Sequence, residues 1–170
     1  MTEKQNKIIK LLWDFQSLRE SHIIRICNCT TNDINFLISK KALIREKNSE
    51  IIRHQGKEVN NRNIVAFDVV MEYLDRNPEI KKGNRPVNVT LKTRYISYDI
   101  IAIKEDEIDN LFKNVDNISS ADKVIIIVQT KQDIKRRINT NRECLICTYP
   151  PLEIVDKINW IKEKKIWNFM

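Results

Sequence analysis

The run Lys123-Val-Ile-Ile-Ile-Val-Gln129 sets five consecutive branched aliphatics between two polar residues. It is far shorter than the ~20 apolar residues a membrane helix needs. Continuous rather than alternating, it reads as a central strand buried on both faces, which asks for a layered α/β arrangement around it. "IVAFDVVMEYLDR" reads as a helix with Val65, Val69, Met71 or Glu72, and Leu74 at helical spacing, ending before Asn77-Pro78. "PEIKKGNRP" reads as a loop, and "VNVTLKTRYISYDIIAIKE" as two strands turning at "KTR". "EDEIDNLFKNV" reads as a helix with acidic residues at its start, "TKQDIKRRI" as a short helix and "ECLICTY" as another strand. "PPLEIVDKINWIKEKKIW" is expected to close the chain as a helix begun by its prolines. Residues 63–170 are therefore expected to form a small mixed-sheet α/β domain of about four strands.

The first sixty residues have a different grammar. "EKQNKIIKLLWDFQSL" places Ile8, Leu11, Leu12 and Phe15 on one helical stripe with Trp13 near its edge, and "RESHIIRICNC" repeats the period through Ile23, Ile26 and Cys27. In "CTTNDI", Thr30 or Thr31 can cap a third helix, whose Ile34, Leu37 and Ile38 face inward. Leu43–Arg45 and Ile51–Arg53 can then pair as strands around "EKNSE". Three short helices followed by a basic hairpin predict a winged helix-turn-helix over residues 1–62. The expected fold class is α/β (α+β): an amino-terminal winged helix-turn-helix, then the mixed-sheet domain.

Charge agrees with that division. Residues 1–62 carry 12 Lys/Arg against 7 Asp/Glu (+5), and residues 63–170 carry 18 against 16 (+2). A positive first domain favours nucleic acid or another anionic partner. Residues 31–41 read as a recognition helix. Asn32 and Asn35 suit base edges, Thr31 and Ser39 suit phosphate or base, and Lys40 and Lys41 suit the backbone. Arg45, Lys47, Arg53 and Lys57 fall on the hairpin and its exit, where they would meet the backbone or minor groove. Phe36 is a large apolar group on the same outward face, able to meet a thymine methyl, the second domain or a protein partner. The expected partner is double-stranded DNA, bound without enzymatic chemistry. A protein adaptor and a metal-dependent nuclease are the alternatives.

Enzymatic chemistry finds little purchase. A magnesium nuclease of the restriction type wants an acid on one strand and Glu-x-Lys or Asp-x-Lys on the next. Asp99 can supply the first, but Gln129-Thr-Lys131 has an amide for the acid, and Glu163-Lys-Lys165 sits in the expected terminal helix. Two glycines in 170 residues leave no Gly-rich phosphate loop. His22 and His54 stand alone, so Tyr95 and Tyr98 lack the metal-histidine cluster a nucleophilic tyrosine would need. Cys27-Asn-Cys29 and Cys144-Leu-Ile-Cys147 can be imagined as a four-thiolate zinc site, yet neither has a glycine bend, and on a strand Cys144 and Cys147 face opposite ways. No cofactor and no metal is expected. With no signal-peptide core in "MTEKQNKIIKLLW", the expected compartment is the cytoplasm, with the cysteines reduced. Trp13 and Trp160 are expected to anchor packing. Trp167, beside Ile166 and Phe169, can equally cover a partner.

The segments "SLRESHIIRICNCTTNDINFLISKKALIREKN", "NIVAFDVVMEYLD" and "VNVTLKTRYISYDIIAI…KVIIIVQTKQDI…ECLICTY" together resemble the replication-relaxation-type and uncharacterised accessory proteins of Gram-positive plasmids, conjugative elements and phages. That resemblance implies a winged helix joined to a degenerate restriction-nuclease-like domain. It also implies DNA binding in replication, transfer or transcription control, with a second domain that serves homodimerisation, contact with replication or transfer proteins, or an extension of the DNA footprint.

Overall fold

Residues 1–129, 138, 140–150 and 152–159 are described by the computed structural model. The first helix, α1 (Glu3–Phe15), is closed at its start by a reciprocal cap. The Thr2 N–H donates to Gln5 Oε1 at 2.9 Å, and the Gln5 N–H donates to Thr2 Oγ1 at 3.2 Å. Ile8, Leu11, Leu12 and Phe15 are buried along it, as the spacing predicts. Gln16 turns the chain at φ 71° into a short strand, β1 (Ser17–Arg19). There follow α2 (Glu20–Cys27), α3 (Thr31–Ser39), β2 (Leu43–Arg45) and β3 (Ile51–His54). Thr30, rather than Thr31, is the cap of α3: it exchanges hydrogen bonds with Asp33 in the same reciprocal way.

The three strands form one antiparallel sheet in the order β1-β3-β2, with Leu18 and Arg45 each opposite Ile52. The β2–β3 hairpin agrees with the sequence reading. β1 was not foreseen, because three residues are too few to show a period. Its Leu18 is fully buried, and it covers the edge of β3 that the hairpin leaves open.

The chain divides into two compact units, Met1–Phe67 and Asp68–Met170, inside the fourth helix, α4 (Asn61–Tyr73). Asn60 fixes its start: its side-chain oxygen accepts from the Asn63 N–H at 3.2 Å, and its own N–H donates to Ser17 Oγ at 2.7 Å. The buried face of α4 differs from the one expected. Asn63, Ile64, Ala66, Phe67, Val69, Val70 and Tyr73 are inside, whereas Val65, Met71 and Leu74 are half-exposed and Glu72 is exposed. The two aromatic side chains decide the matter. Phe67 packs edge-on against Phe15 at 4.7 Å within the first unit, and Tyr73 lies against Tyr98 at 4.8 Å within the second.

Among the described residues the second unit continues with β4 (Glu79–Lys82), β5 (Val89–Lys92), β6 (Ser97–Ala102), α5 (Ile108–Ile118), β7 (Lys123–Val128), β8 (Glu143–Thr148) and β9 (Glu153–Ile158). They make one six-stranded sheet in the order β4-β5-β6-β7-β8-β9. β6, β7 and β8 run parallel, while β5 is antiparallel to β4 and β6, and β9 to β8. β7 is central and every residue of it is buried, as its unbroken apolar run demands. Val124, Ile126 and Val128 share one face with Ile101, Cys144 and Ile146, and α5 packs Leu111, Phe112 and Val115 there. The mixed α+β architecture follows, with no helix long and apolar enough to cross a membrane among the described residues.

Two sequence expectations are corrected. "PEIKKGNRP" contains β4, an edge strand with only Ile80 partly buried, so its exposed charge hid it. Residues 153–158, expected to be helical, are β9. They pair with β8 past an irregularity at Ile146/Cys147, and the sheet has six strands rather than about four. Residues 130–137 of the short helix expected at 130–138, Lys131 among them, together with Trp160, Glu163, Lys165 and Trp167, lie outside the described residues.

Ile126 is fully buried at the middle of β7, so Ile126→Ala is expected to cost ~2–5 kcal/mol of unfolding free energy in urea titration.

Candidate functional site

A helix of nine residues is too short to persist alone, so α3 is held by what it buries. Ile34 and Leu37 are fully buried, which turns Asn32, Asn35, Phe36 and Ser39 to the opposite side, all exposed. These four positions follow the i, i+3, i+4, i+7 rule and make one stripe. Thr31 is exposed at the helix start and also hydrogen-bonds Glu20. Ser39 donates its hydroxyl back to Phe36 O at 2.7 Å. Phe36 is 41% exposed, and Lys40 Nζ lies 5.6 Å from its ring centroid. The Asp33 carboxyl, held by Thr30's N–H and hydroxyl, sits below its ordinary pKa.

Lys41 ends the helix at φ 59°, a left-handed position usually given to glycine. Its N–H donates to Ile38 O at 2.9 Å and the Ala42 N–H to Leu37 O at 3.0 Å, closing the last turn and launching β2. Both Lys40 and Lys41 are exposed.

The hairpin basics divide into two kinds. Lys47 is exposed at the tip, beside Asn48 in a left-handed turn position. Arg45 is instead engaged by the unit's own side chains, donating to Glu20 Oε2 at 2.5 Å and to Asn35 Oδ1 at 3.3 Å. That contact joins α2, α3 and β2. The Arg45 hydrogen bond holds Glu20 below the ordinary carboxylate range, and the same bond raises Arg45. Arg53 is likewise engaged, donating to Glu46 and, at 2.9 Å, to Lys57 O. Lys57 holds its ammonium 4.2 Å from the centroid of the Trp13 ring, which meets His54 edge-on at 5.1 Å. Sequence spacing placed these basics near one another. It could not show that two arginines serve the scaffold and that Trp13, 55% exposed, carries Lys57.

The chemistries weighed from sequence take definite places. Asp99 is buried on β6 with both oxygens occupied: Thr90 donates to Oδ1 at 2.6 Å and Ser119 to Oδ2 at 2.7 Å. Its partners are hydroxyls rather than other carboxylates. Burial pushes the Cys27 thiol up to about 12, and that of Cys29 upward; Cys29 Sγ donates to Ile23 O at 3.7 Å. Cys144 and Cys147 are buried on opposite faces of β8, pushed up to about 11 and about 12. No group of three or more His, Cys, Asp or Glu placed to hold a metal ion occurs among the described residues. His22 is buried and stacks with Phe67.

Comparison with protein-family models gives no match to this chain, and comparison with curated proteins gives none either.

Glu20's folded pKa is depressed, so the unfolded chain takes up its proton at higher pH. Its contribution is complete above the unfolded value of about 4.3 and is lost as pH falls through the lower folded value. Urea titrations from pH 7 to pH 3 are expected to show Glu20→Gln losing on the order of 1 kcal/mol at pH 7, with the gap to wild type closing in acid. Lys41→Gly removes the left-handed strain and is expected to raise stability by ~1 kcal/mol in the same assay.

Proposed function

We propose that the first unit is a winged helix-turn-helix that binds double-stranded DNA without catalysing a reaction on it. α3 would enter the major groove, and the β2–β3 hairpin would lie against the backbone or minor groove. The observation that carries this reading is the stripe Asn32, Asn35, Phe36, Ser39, presented outward on a helix fixed by Ile34 and Leu37 and followed at once by the hairpin. The helix order and the β1-β3-β2 sheet suit that assignment. Asn32 and Asn35 supply amide groups for base edges, Phe36 an apolar surface for a thymine methyl, and Lys40, Lys41 and Lys47 exposed charge for phosphates. Arg45 and Arg53 act one step back, as supports. The role this best serves is an accessory factor in replication, transfer or transcription of a plasmid or other mobile element.

A protein adaptor is the second reading, favoured by the exposed rings of Phe36 and Trp13. Fluorescence anisotropy of labelled duplexes at several salt concentrations separates the two. For a DNA binder, Lys40→Ala and Lys47→Ala each lower the slope of log K against log salt by roughly 0.9, and do so on every sequence. Asn32→Ala relaxes preference at one base pair by about 1–3 kcal/mol. Unchanged duplex affinity in all three variants would overturn the DNA reading in favour of the adaptor.

A further inference from the structure

The second unit carries a separate concentration of positive charge that its overall balance conceals. Residues 68–170 hold 18 Lys/Arg against 16 Asp/Glu, a net +2. Residues 79–96, spanning β4, β5 and the turn into β6, hold five (Lys81, Lys82, Arg85, Lys92, Arg94) against Glu79 alone, a net +4. The rest of the unit is therefore 13 against 15, or −2. All five cations are exposed. Glu79 pairs with Lys81 at 3.0 Å, in an exposed contact that neutralises one of them.

Register brings two of these groups together beside the 93–96 turn, whereas Lys82, opposite Val89, faces the other way and Arg85 lies in the connection at the far end of the strand pair. Glu79 stands opposite Lys92, and Lys81 opposite Thr90, so Lys81 and Lys92 are diagonal neighbours on the same face. Lys92 leads directly into the turn that presents Arg94 and Tyr95. Tyr95 is 80% exposed, the most exposed aromatic ring among the described residues, and the Arg94 guanidinium lies 5.3 Å from its centroid. The turn is held from inside. The Thr93 hydroxyl donates to Ile96 O at 2.8 Å and accepts from the Ile96 N–H at 3.1 Å, while the Thr93 N–H donates to Ile96 O at 3.0 Å. The ring is thus offered to solvent from a tied support.

Protection of a sheet edge explains lysines on β4. It does not explain Lys92 on β5, which is paired on both sides, nor an arginine and a bare tyrosine at the turn. Cations along a strand pair beside an exposed ring are the combination that holds a single-stranded nucleic acid, phosphates on the charges and a base on the ring. A duplex, its bases already stacked, would use the charges and leave the ring idle.

We propose that the β4–β5 strand pair and the 93–96 turn form a second nucleic-acid surface, specific for single strands, with Tyr95 as its stacking platform and Lys92 and Arg94 as its phosphate contacts. This inference does not depend on the function proposed for α3.

The test uses the full chain and anisotropy of labelled 20-nucleotide oligo-dT, oligo-U and a duplex of equal length. Tyr95→Ala is expected to weaken binding of the single strand roughly 5- to 100-fold, with its salt dependence kept. The double variant Lys92→Ala/Arg94→Ala is expected to reduce the single-strand salt slope by about 1.4. Lys113→Ala, at an exposed lysine of α5 outside both proposed surfaces, should leave single-strand binding at the wild-type level. All three positions of the second surface are exposed, so circular dichroism should match wild type. Comparing dT with U assigns the surface to DNA, RNA or both. Single-strand affinity unmoved by Tyr95→Ala, with or without an effect of the double variant, overturns the proposal. So does an equal loss on the duplex.

Discussion

The placement of α3 depends on the burial of Ile34 and Leu37, both without solvent exposure. At nine residues its own backbone hydrogen bonds cannot secure it, and each buried aliphatic contributes about 1.5–3 kcal/mol that the isolated helix lacks. Helical geometry then does the rest. Once residues 34 and 37 point inward, residues 32, 35, 36 and 39 have nowhere to face but outward. The Thr30–Asp33 cap fixes where the helix begins, and the left-handed Lys41 fixes where it stops. Position, orientation and length of the outward stripe are thus set by residues that are not part of it.

Arg45 extends this control to the chemistry of the stripe. It donates to Asn35 Oδ1 while bound to Glu20, so one acceptor position of the Asn35 amide is taken up within the unit. A terminal amide reads adenine with both its oxygen and its nitrogen. In the recognition helix proposed above, an Asn35 oxygen partly engaged in this way would leave the amide N–H groups as the freer pair for a base edge. Asn32, one turn earlier, keeps both functions for a ligand. Two asparagines that look equivalent in sequence therefore differ in their hydrogen bonding, and the difference lies in an arginine ten residues downstream.

What could be read from sequence was whatever repeats within a window. The stripes of α1 and α3, the hairpin of β2 and β3, and the buried β7 all carry their period in consecutive residues. β1 is too short for that, with only Leu18 to mark it. β4 is an edge whose single inward residue, Ile80, sits among charges. In β9 Ile154, Val155 and Ile158 suit a strand, but the two prolines before them pointed to a helix. On α4 the helical spacing through Val65, Met71 and Leu74 lost to the larger area of Phe67 and Tyr73, since rings bury more surface than single aliphatic side chains. The basic residues were the least legible. Whether an arginine is offered to a partner or bound to a carboxylate depends on contacts made by distant segments, as in Glu20–Arg45, and composition is blind to these.

The same blindness applies to net charge. The first unit advertises its excess in sequence, yet three of its arginines, Arg19, Arg45 and Arg53, are committed to carboxylates of the unit itself. The second unit looks nearly neutral, yet it concentrates cations on β4, β5 and the following turn while its remaining residues are net acidic. A polyanion responds to the local field within roughly a Debye length, about 8 Å at physiological salt, and not to a domain total. A domain total of +2 therefore says little about the field over residues 79–96, where five cations stand against one carboxylate.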